Sequence, residues 1–178
     1  MKEALPSMPT LESQHLQTSR LDLVPIVREH AARMFEVLKD PALYGFTEGA
    51  PPTDANELGC RFERWEKRLS PDGTELWFNW AVRESPSGKF VGHLQASVTS
   101  GYADIAWVIG TLWQNRGYAT EAAKAVMEWI LKLGVNEIRA AINPDHVASI
   151  KVAERIGLRR TEIFSGREIV WASSPRRA

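Results

Sequence analysis

The 178-residue chain contains a single cysteine, Cys60, and has no excess of either charge. One cysteine excludes an intramolecular disulfide and a metal site built from clustered cysteines. Lys and Arg total 22, as do Asp and Glu, so the chain lacks the basic surplus of a non-specific nucleic-acid binder. It also lacks an apolar run near the roughly 20 residues that span a bilayer, and residues 1–10 lack a signal peptide's apolar segment. We therefore expect a cytoplasmic protein that binds neither nucleic acid nor a membrane.

Three of the four histidines and the lone thiol do not indicate a metal site or an activated nucleophile. His15, His30 and His93 show no metal-ligand spacing, so we expect no metal. Cys60 lies off the apolar face of its predicted helix and has no obvious histidine partner in sequence, unlike an activated thiol. Neither residue type therefore predicts the chemistry.

The chain does contain enough apolar residues for one core. Hydrophobic residues make up 44% of it, and seven residues are Trp. A length of 178 residues corresponds to one domain. We expect a single domain over residues 1–178, with an ordered core at about 18–171 between flexible termini.

Hydrophobic periodicity divides the first two thirds of the chain into a helical part and a strand-rich part. Helical spacing predicts one helix that ends before Pro41 and a second with an apolar face over 58–69. Alternation with period two then predicts strands over 76–83, 90–98 and 105–109. The short turns between these strands imply antiparallel pairing.

The remainder predicts a parallel crossover. Apolar residues four apart over 122–131 predict a long helix that ends at Gly134, and a strand over 137–142 follows. This helix joins the strand before Gly110 to the next strand, so those two strands should be parallel. The expected fold is α/β, with a mixed, mostly antiparallel sheet and helices flanking it.

The segment from Gln114 to Glu121, between that strand and the long helix, has the features of an anion site. Gly117 permits a tight turn, and the amides of residues 117–120 would point outward from the helix start as unpaired donors. These amides suit a pyrophosphate, and Arg116 adds positive charge. An ordinary turn with one glycine explains the same pattern. The segment lacks the three glycines of a dinucleotide-binding fingerprint and the Gly-Lys-Ser/Thr of a Walker loop.

Two motifs resemble those of the GNAT N-acetyltransferases. The pattern Gln114-x-x-Gly117-x-Ala119 is similar to that family's acetyl-CoA motif, and residues 105–122 resemble the branch that includes ribosomal-protein N-terminal acetyltransferases. Residues 143–157 resemble the same branch's second conserved segment. The resemblance spans roughly 21–171 and implies a single GNAT-like domain whose parallel strand pair splays apart.

The second segment departs from the family pattern at three positions. His146, Arg155 and Leu158 stand where Asn, Lys and Phe are usual. A base, a substitute for the amide and a surface residue are all open roles for His146. We favour a structural role, because the amide that it replaces is structural in the family.

The resemblance implies that acetyl-CoA is the cosubstrate and where it binds. The strand backbone at Val108 and Ile109 would pair with the pantetheine arm as an added strand does, and Asn143 would contact the arm from the neighbouring strand. The residues implied in binding are Val108, Ile109, Gln114, Asn115, Arg116, Gly117, Tyr118, Ala119, Thr120, Asn143 and Ser149.

The implied reaction needs a proton acceptor, because an ammonium is not nucleophilic. Asp104 matches a position where the branch often has Glu and is the first candidate; an exposed strand carboxylate is the alternative. Ser149 would lie near the sulfur and protonate the leaving thiolate, or simply bond local backbone at a helix start. The amide of Val108 or Ile109 would stabilise the oxyanion.

The sequence does not identify the acceptor amine, which is a protein N-terminus or a small molecule. Its contacts are expected at Glu48, Trp77 and Trp80, although a solvated carboxylate and core aromatics explain the same residues. A homodimer remains open. The favoured function is N-acetyl transfer in a ternary complex. The alternative is a catalytically inactive CoA-binding regulatory or interaction module, suggested by His146 and by the lack of an unambiguous base.

Overall fold

The computed structural model describes residues 5–47 and 49–174. Its centre is an eight-stranded sheet with the spatial order β1-β2-β3-β4-β5-β6-β8-β7. The strands are β1 (Leu16–Gln17), β2 (Leu21–Pro25), β3 (Leu76–Glu84), β4 (Phe90–Val98), β5 (Ala103–Ile109), β6 (Ile138–Ile142), β7 (Arg159–Ser165) and β8 (Glu168–Ala172). All neighbouring pairs are antiparallel except β5 and β6. The predicted mixed, mostly antiparallel sheet with a parallel pair is confirmed.

Four helices cover the two faces of the sheet. They are α1 (Ala31–Leu38), α2 (Ala55–Trp65), α3 (Tyr118–Lys132) and α4 (Val147–Arg155). The apolar sides of α1 and α2 form one core cluster against one face, and those of α3 and α4 join the larger cluster on the other. None of the helices in the described part of the chain has the length and apolar character needed to cross a bilayer.

Strand alternation assigns side chains to these faces. On β3, Phe78 and Trp80 are fully buried towards α3, where the edge of the Trp129 ring meets both. Ala81 belongs instead to the cluster under α1 and α2. Because successive strand residues point to opposite faces, the neighbours of Ala81 on adjacent strands also face α1 and α2. We call this side the α1/α2 face.

Helix α2 is shorter than its apolar pattern predicts. It ends at Trp65, and Leu69 lies beyond it with 41% of its surface exposed. Arg68 adopts a positive φ of 57°, a conformation that does not continue a right-handed helix. The chain then forms an isolated bridge from Leu69 to Leu76. The apolar spacing there reflects a strand-like contact and not another helical turn.

The chain packs onto the sheet before residue 18, where the ordered core was expected to begin. The Trp80 indole N–H donates to the carbonyl of Gln14 at 2.7 Å, and the Trp129 indole N–H donates to that of Ser13 at 2.6 Å. A buried indole N–H needs an acceptor. These two bonds therefore fix the segment ahead of β1 against the core.

Candidate active site

A wedge-shaped gap opens between β5 and β6. The two strands pair only at Ala103 with Ile138 and at Asp104 with Arg139. Beyond these pairs β5 stays with β4 as far as Ile109, while β6 stays with β8. The gap between residues 105–109 and 140–142 leaves one edge of β5 without a strand partner, so the predicted splayed pair is present.

The direction of the β5 amides decides which of them face the gap. Gly110 donates its N–H to Val91 on the β4 side, whereas Ala103 donates to Glu137 on the β6 side. Since backbone groups alternate sides along a strand, the N–H groups of Trp107 and Ile109 face the gap and that of Val108 faces β4. The Val108 amide, which was expected to bind the cosubstrate or an oxyanion, therefore points away from the gap, whereas the amides of Trp107 and Ile109 point into it.

The gap leads directly to the start of α3, where several backbone amides lie unpaired. The backbone N–H groups of residues 117–120 have no hydrogen-bond partner within the described ranges. Asn115 and Gly117 both have positive φ, 61° and 80°. Such alternation of left- and right-handed residues turns successive amides to one side. The exposed side chain of Arg116 adds a cation at the same place.

A clasp from the N-terminal part of the chain holds this loop. Glu121 accepts hydrogen bonds from Thr18 Oγ1 at 2.6 Å and from Arg20 Nε at 2.7 Å. Arg20 also donates through Nη1 to the carbonyl of Arg116 at 3.0 Å. Sequence reasoning missed Arg20, because nothing in the local pattern joins residues about 100 positions apart.

Because of this clasp, we expect the free energy of unfolding to decrease at acid pH. Partial burial works to raise the pKa of Glu121, but hydrogen bonds from Thr18 and Arg20 outweigh it and leave the pKa below the ordinary 4.5. Because the pKa of Glu121 is lower in the folded state than in the unfolded state, its carboxylate stabilises the folded protein above pH 4.5. This stabilisation is lost as the pH falls through the pKa of the folded state. In urea unfolding, we expect Glu121→Gln to cost about 2 kcal/mol at pH 7 and progressively less below pH 4.5.

Glu128→Gln is the matched control, since Glu128 is an exposed residue of the same helix. Its substitution should leave the pH profile of the unfolding free energy unchanged. Identical profiles for wild type and Glu121→Gln would contradict the clasp.

The first turn of α3 contains one unsatisfied polar side chain. Thr120 Oγ1 is buried and has no hydrogen-bond partner among the described residues. A buried hydroxyl without a partner is costly and rare, so this atom fits a site that a phosphate-bearing ligand completes. The Tyr118 hydroxyl, in contrast, donates to Glu84, which leaves only the backbone N–H of Tyr118 for a ligand.

Three further predicted residues lie around the gap. Ser149 Oγ accepts a 3.3 Å hydrogen bond from the indole of Trp107, which joins α4 to β5. Asn143 Oδ1 accepts from the N–H of Asp145 at 2.9 Å and shapes the turn between β6 and α4. Gln114 donates to the carbonyl of Ile109 at 3.0 Å. The predicted cosubstrate residues therefore meet around one gap and one helix start.

Asp104 lies at the closed end of the gap, on the α1/α2 face opposite Ser97. Asp104 is exposed, although the groups around its carboxyl partly desolvate it and so raise its pKa; Arg139 works to lower this pKa, and Glu75 and Glu137 raise it. Trp107 is three residues further along β5, a distance of roughly 10 Å. A water could link Asp104 to a reacting group near Trp107, but a direct contact is too far.

The residues that were expected to contact the acceptor do not share one surface. Trp80 is fully buried in the core on the α3 side, so its assignment to the acceptor is wrong. Trp77 has the opposite parity on the strand and lies half-buried on the α1/α2 face, where its indole donates to Glu75 at 2.9 Å. Alternation prevents the two rings from lining one surface. Glu48 lies outside the described residues.

His146, in the turn between β6 and α4, makes a ring contact. It precedes the first residue of α4, and its ring stacks on Phe46 with centroids 4.5 Å apart and 12° between planes. Burial lowers its pKa. The contact is aromatic and joins the loop after α1 to the start of α4.

Comparison with known proteins places this geometry in a family. The Acetyltransferase (GNAT) domain family matches residues 20–159. The chain belongs to this family. It is therefore an acetyl-CoA-dependent acetyltransferase, and the gap beside β5 together with the start of α3 is its candidate cosubstrate site.

Individual relatives agree with the assignment. The chain is 39% identical over 62 residues to the uncharacterized N-acetyltransferase YnaD of Bacillus subtilis strain 168, which covers 34% of this chain and 36% of that protein. It is 24% identical over 147 residues to the uncharacterized N-acetyltransferase p20 of Bacillus licheniformis, 82% of each.

Among solved structures, the fold resembles RimL, the ribosomal L7/L12 alpha-N-protein acetyltransferase, in complex with coenzyme A. The TM-score is 0.72 with 17% sequence identity, over 87% of this chain and 94% of that one. At this identity the likeness concerns the fold alone.

Proposed function

We propose that this GNAT protein transfers the acetyl group of acetyl-CoA to a primary amine, by direct attack in a ternary complex. The amine is a protein N-terminus or that of a small molecule. The observation that supports this most is that two sets of backbone groups without hydrogen-bond partners lie next to each other. The free edge of β5 at Trp107 and Ile109 leads straight to the unpaired amides of residues 117–120.

The chain's own groups divide the work of binding. The amides of residues 116–120 and the hydroxyl of Thr120 would hold the pyrophosphate, with Arg116 beside it. The N–H groups of Trp107 and Ile109 would bond the pantetheine arm as an added strand, and Asn143 would contact it from β6. Bound acetyl-CoA supplies an activated acetyl group as a thioester.

Other groups would assist proton movement. Ser149 borders the gap and is free to donate its hydroxyl proton, because its contact with Trp107 uses the oxygen as an acceptor. Asp104, with its raised pKa and its place at the closed end of the gap, would take a proton through water. Trp77 would line the acceptor side.

A serine variant tests the assignment of Ser149. We expect Ser149→Ala to lower kcat about fivefold, a small general-acid effect, and to leave KM for acetyl-CoA within about twofold. The assay follows CoA release with a thiol reagent, and an enzyme blank corrects for Cys60. Ser165→Ala, on the exposed strand β7, is the control. Wild-type turnover in Ser149→Ala would remove this residue from the mechanism.

Cosubstrate binding and turnover are tested separately. Acetyl-CoA and CoA should each raise Tm by mass action, whereas NAD should not. CoA release is then measured with spermidine, kanamycin, tyramine and a serine-initiated tetrapeptide. Turnover with at least one amine supports the proposal. Binding without any turnover would instead favour the inactive CoA-binding module, and no binding at all would reject both.

A further inference from the structure

His93 on β4 is a buried histidine with no hydrogen bond. It is 8% exposed, and its Nδ1 is enclosed without a partner. Nε2 makes no hydrogen bond within the described ranges either. Its imidazole ring contacts the ring of Trp65 on α2, with the centroids 5.5 Å apart. Both ring nitrogens are thus available.

An unpartnered imidazole is an unusual core residue. Buried polar side chains nearly always have a hydrogen-bond partner, because burial without one costs the desolvation of the group with no compensating bond. His30, the other histidine under α1, shows the ordinary case, since its Nδ1 accepts the N–H of Val27 at 3.3 Å. His93 therefore has the capacity for a hydrogen bond that only a ligand or water would fill.

The position of His93 is beside the candidate reaction centre. It pairs with Val108 on β5 and Ala81 on β3, on the α1/α2 face. Val108, opposite His93, is half-buried, and Ala106, on the same face of β5 two residues away, is exposed, so the α1/α2 face reaches solvent within one residue pair of the imidazole. The adjacent residue on β5, Trp107, directs its N–H into the gap on the other edge of the strand.

We infer that His93 is the proton acceptor for the attacking amine, which approaches the acetyl group across the α1/α2 face between α2 and β5. The inference deepens the proposed acetyl transfer and rests on it. It assigns to a residue of β4 the proton acceptance that the proposed function gives to Asp104.

His93 is uncharged before the amine attacks. Burial, together with the nearby Arg61 on α2, lowers its pKa to about 4. Its other neighbours across the sheet, Ala81 and Val108, are apolar and carry no charge. The imidazole is therefore neutral at physiological pH and has a lone pair to accept a proton or hydrogen bond.

The step balances with groups already named. The amine lone pair forms the N–C bond to the acetyl carbon, and the C–S bond breaks with its electrons on the CoA sulfur. One amine proton passes to the His93 imidazole as the N–C bond forms. The thiolate takes a proton from water, or from Ser149, whose hydroxyl is then reprotonated by water, and His93 returns its own proton to solvent.

His93 and Asp104 are distinct positions on one polar row. His93, Gln95 and Ser97 alternate along the α1/α2 face of β4, and Asp104 lies opposite Ser97. Four residues separate the levels of His93 and Asp104, roughly 13 Å along the strands. One acceptor near Trp107 and another at the closed end are therefore separable by mutation.

The first test is kinetic. In His93→Gln we expect kcat to fall about 20-fold, less than the roughly 100-fold or more of a residue whose pKa lies near the operating pH, with KM for acetyl-CoA within about twofold. Asp104→Asn should lower kcat less. His30→Gln controls for the loss of a half-buried histidine away from the gap and should retain wild-type kcat. Tm is measured for each variant, so that unfolding is not mistaken for lost catalysis.

The second test separates a catalytic from a packing role. Added imidazole should restore kcat at least fivefold in His93→Ala, since a free imidazole can enter the vacated space, and should not stimulate Asp104→Asn. A kcat within about threefold of wild type in both His93→Gln and His93→Ala would overturn the inference. Loss of activity without imidazole rescue would assign His93 to packing and also overturn it.

A third readout does not depend on activity. The four histidines give four imidazole Cε1–H signals, and His93 is assigned by the signal lost in His93→Gln. We expect this signal to shift when an amine of the panel is added to CoA-saturated protein. No shift with any of the four amines would overturn the inference. Failure of CoA to raise Tm would instead reject the proposed function, so the two failures are distinguishable.

Discussion

Gly117→Ala should weaken acetyl-CoA binding roughly 30-fold, or about 2 kcal/mol, as measured by isothermal titration. Gly117 has a φ of 80° at the start of α3, where an L side chain is strained. A Cβ there would also stand 3.5 Å from Arg20 Nη2. To relieve the strain the first turn must rotate, and the unpaired amides of residues 117–120 would then no longer converge on one phosphate.

Gly134→Ala is the matched control for this effect. Gly134 follows the other end of α3 with a φ of 86°, and nothing lies within 4 Å of a Cβ placed there. Its variant meets the same kind of backbone strain far from the gap, so it should lose stability but bind acetyl-CoA as wild type does. Equal binding losses in the two variants would show that strain, and not the anion site, is responsible.

Gly92→Ala should lower both stability and activity. Gly92 on β4 lies opposite Ile109, and a Cβ there would stand 2.0 Å from the carbonyl oxygen of Val108 and 3.0 Å from Ile109 Cα. Both atoms belong to the backbone of β5, so no side chain can rotate away. Strand β5 itself must move, and the edge that faces the gap moves with it.

We expect a Tm decrease of about 10 °C, from an overpacking cost near 3 kcal/mol, and a loss of roughly 50-fold in kcat/KM for acetyl-CoA. Differential scanning calorimetry and the CoA-release assay measure the two quantities. Gly101→Ala, in the turn between β4 and β5 with nothing within 4 Å, should change neither. A Gly92→Ala protein with wild-type Tm and kcat/KM would show that the two strands are not held at this distance.

The local sequence pattern predicted the structure well where a single helix or strand determines it. Spacing of apolar residues located α3 and the antiparallel strands, because burial of one face imposes a period of 3.6 or 2. It was a poor guide at Leu69, where apolar spacing continued past the end of α2. The reason lies in Arg68, whose backbone turns the chain toward a bridge with Leu76.

Residue roles were harder to predict where they depend on the side of a strand to which a side chain or an amide points. Trp77 and Trp80 look alike in sequence, yet strand alternation buries Trp80 in the core and leaves Trp77 on the α1/α2 face. Val108 and Trp107 differ in the same way, because only the latter's amide faces the gap. The sequence shows which residues alternate, but the pairing partners decide which side each one meets.

The sequence by itself determined the order of elements, the parallel crossover, the resemblance to the GNAT family and the glycine-centred loop before α3. These depend on neighbours within a few positions, so periodicity and motifs report them. Tertiary structure alone decided which amides of β5 face the gap, the clasp of Arg20 and Glu121, and the unpartnered imidazole of His93. Each of these arises from residues far apart in the chain, and whether a polar group finds a partner is settled only when the strands and helices pack.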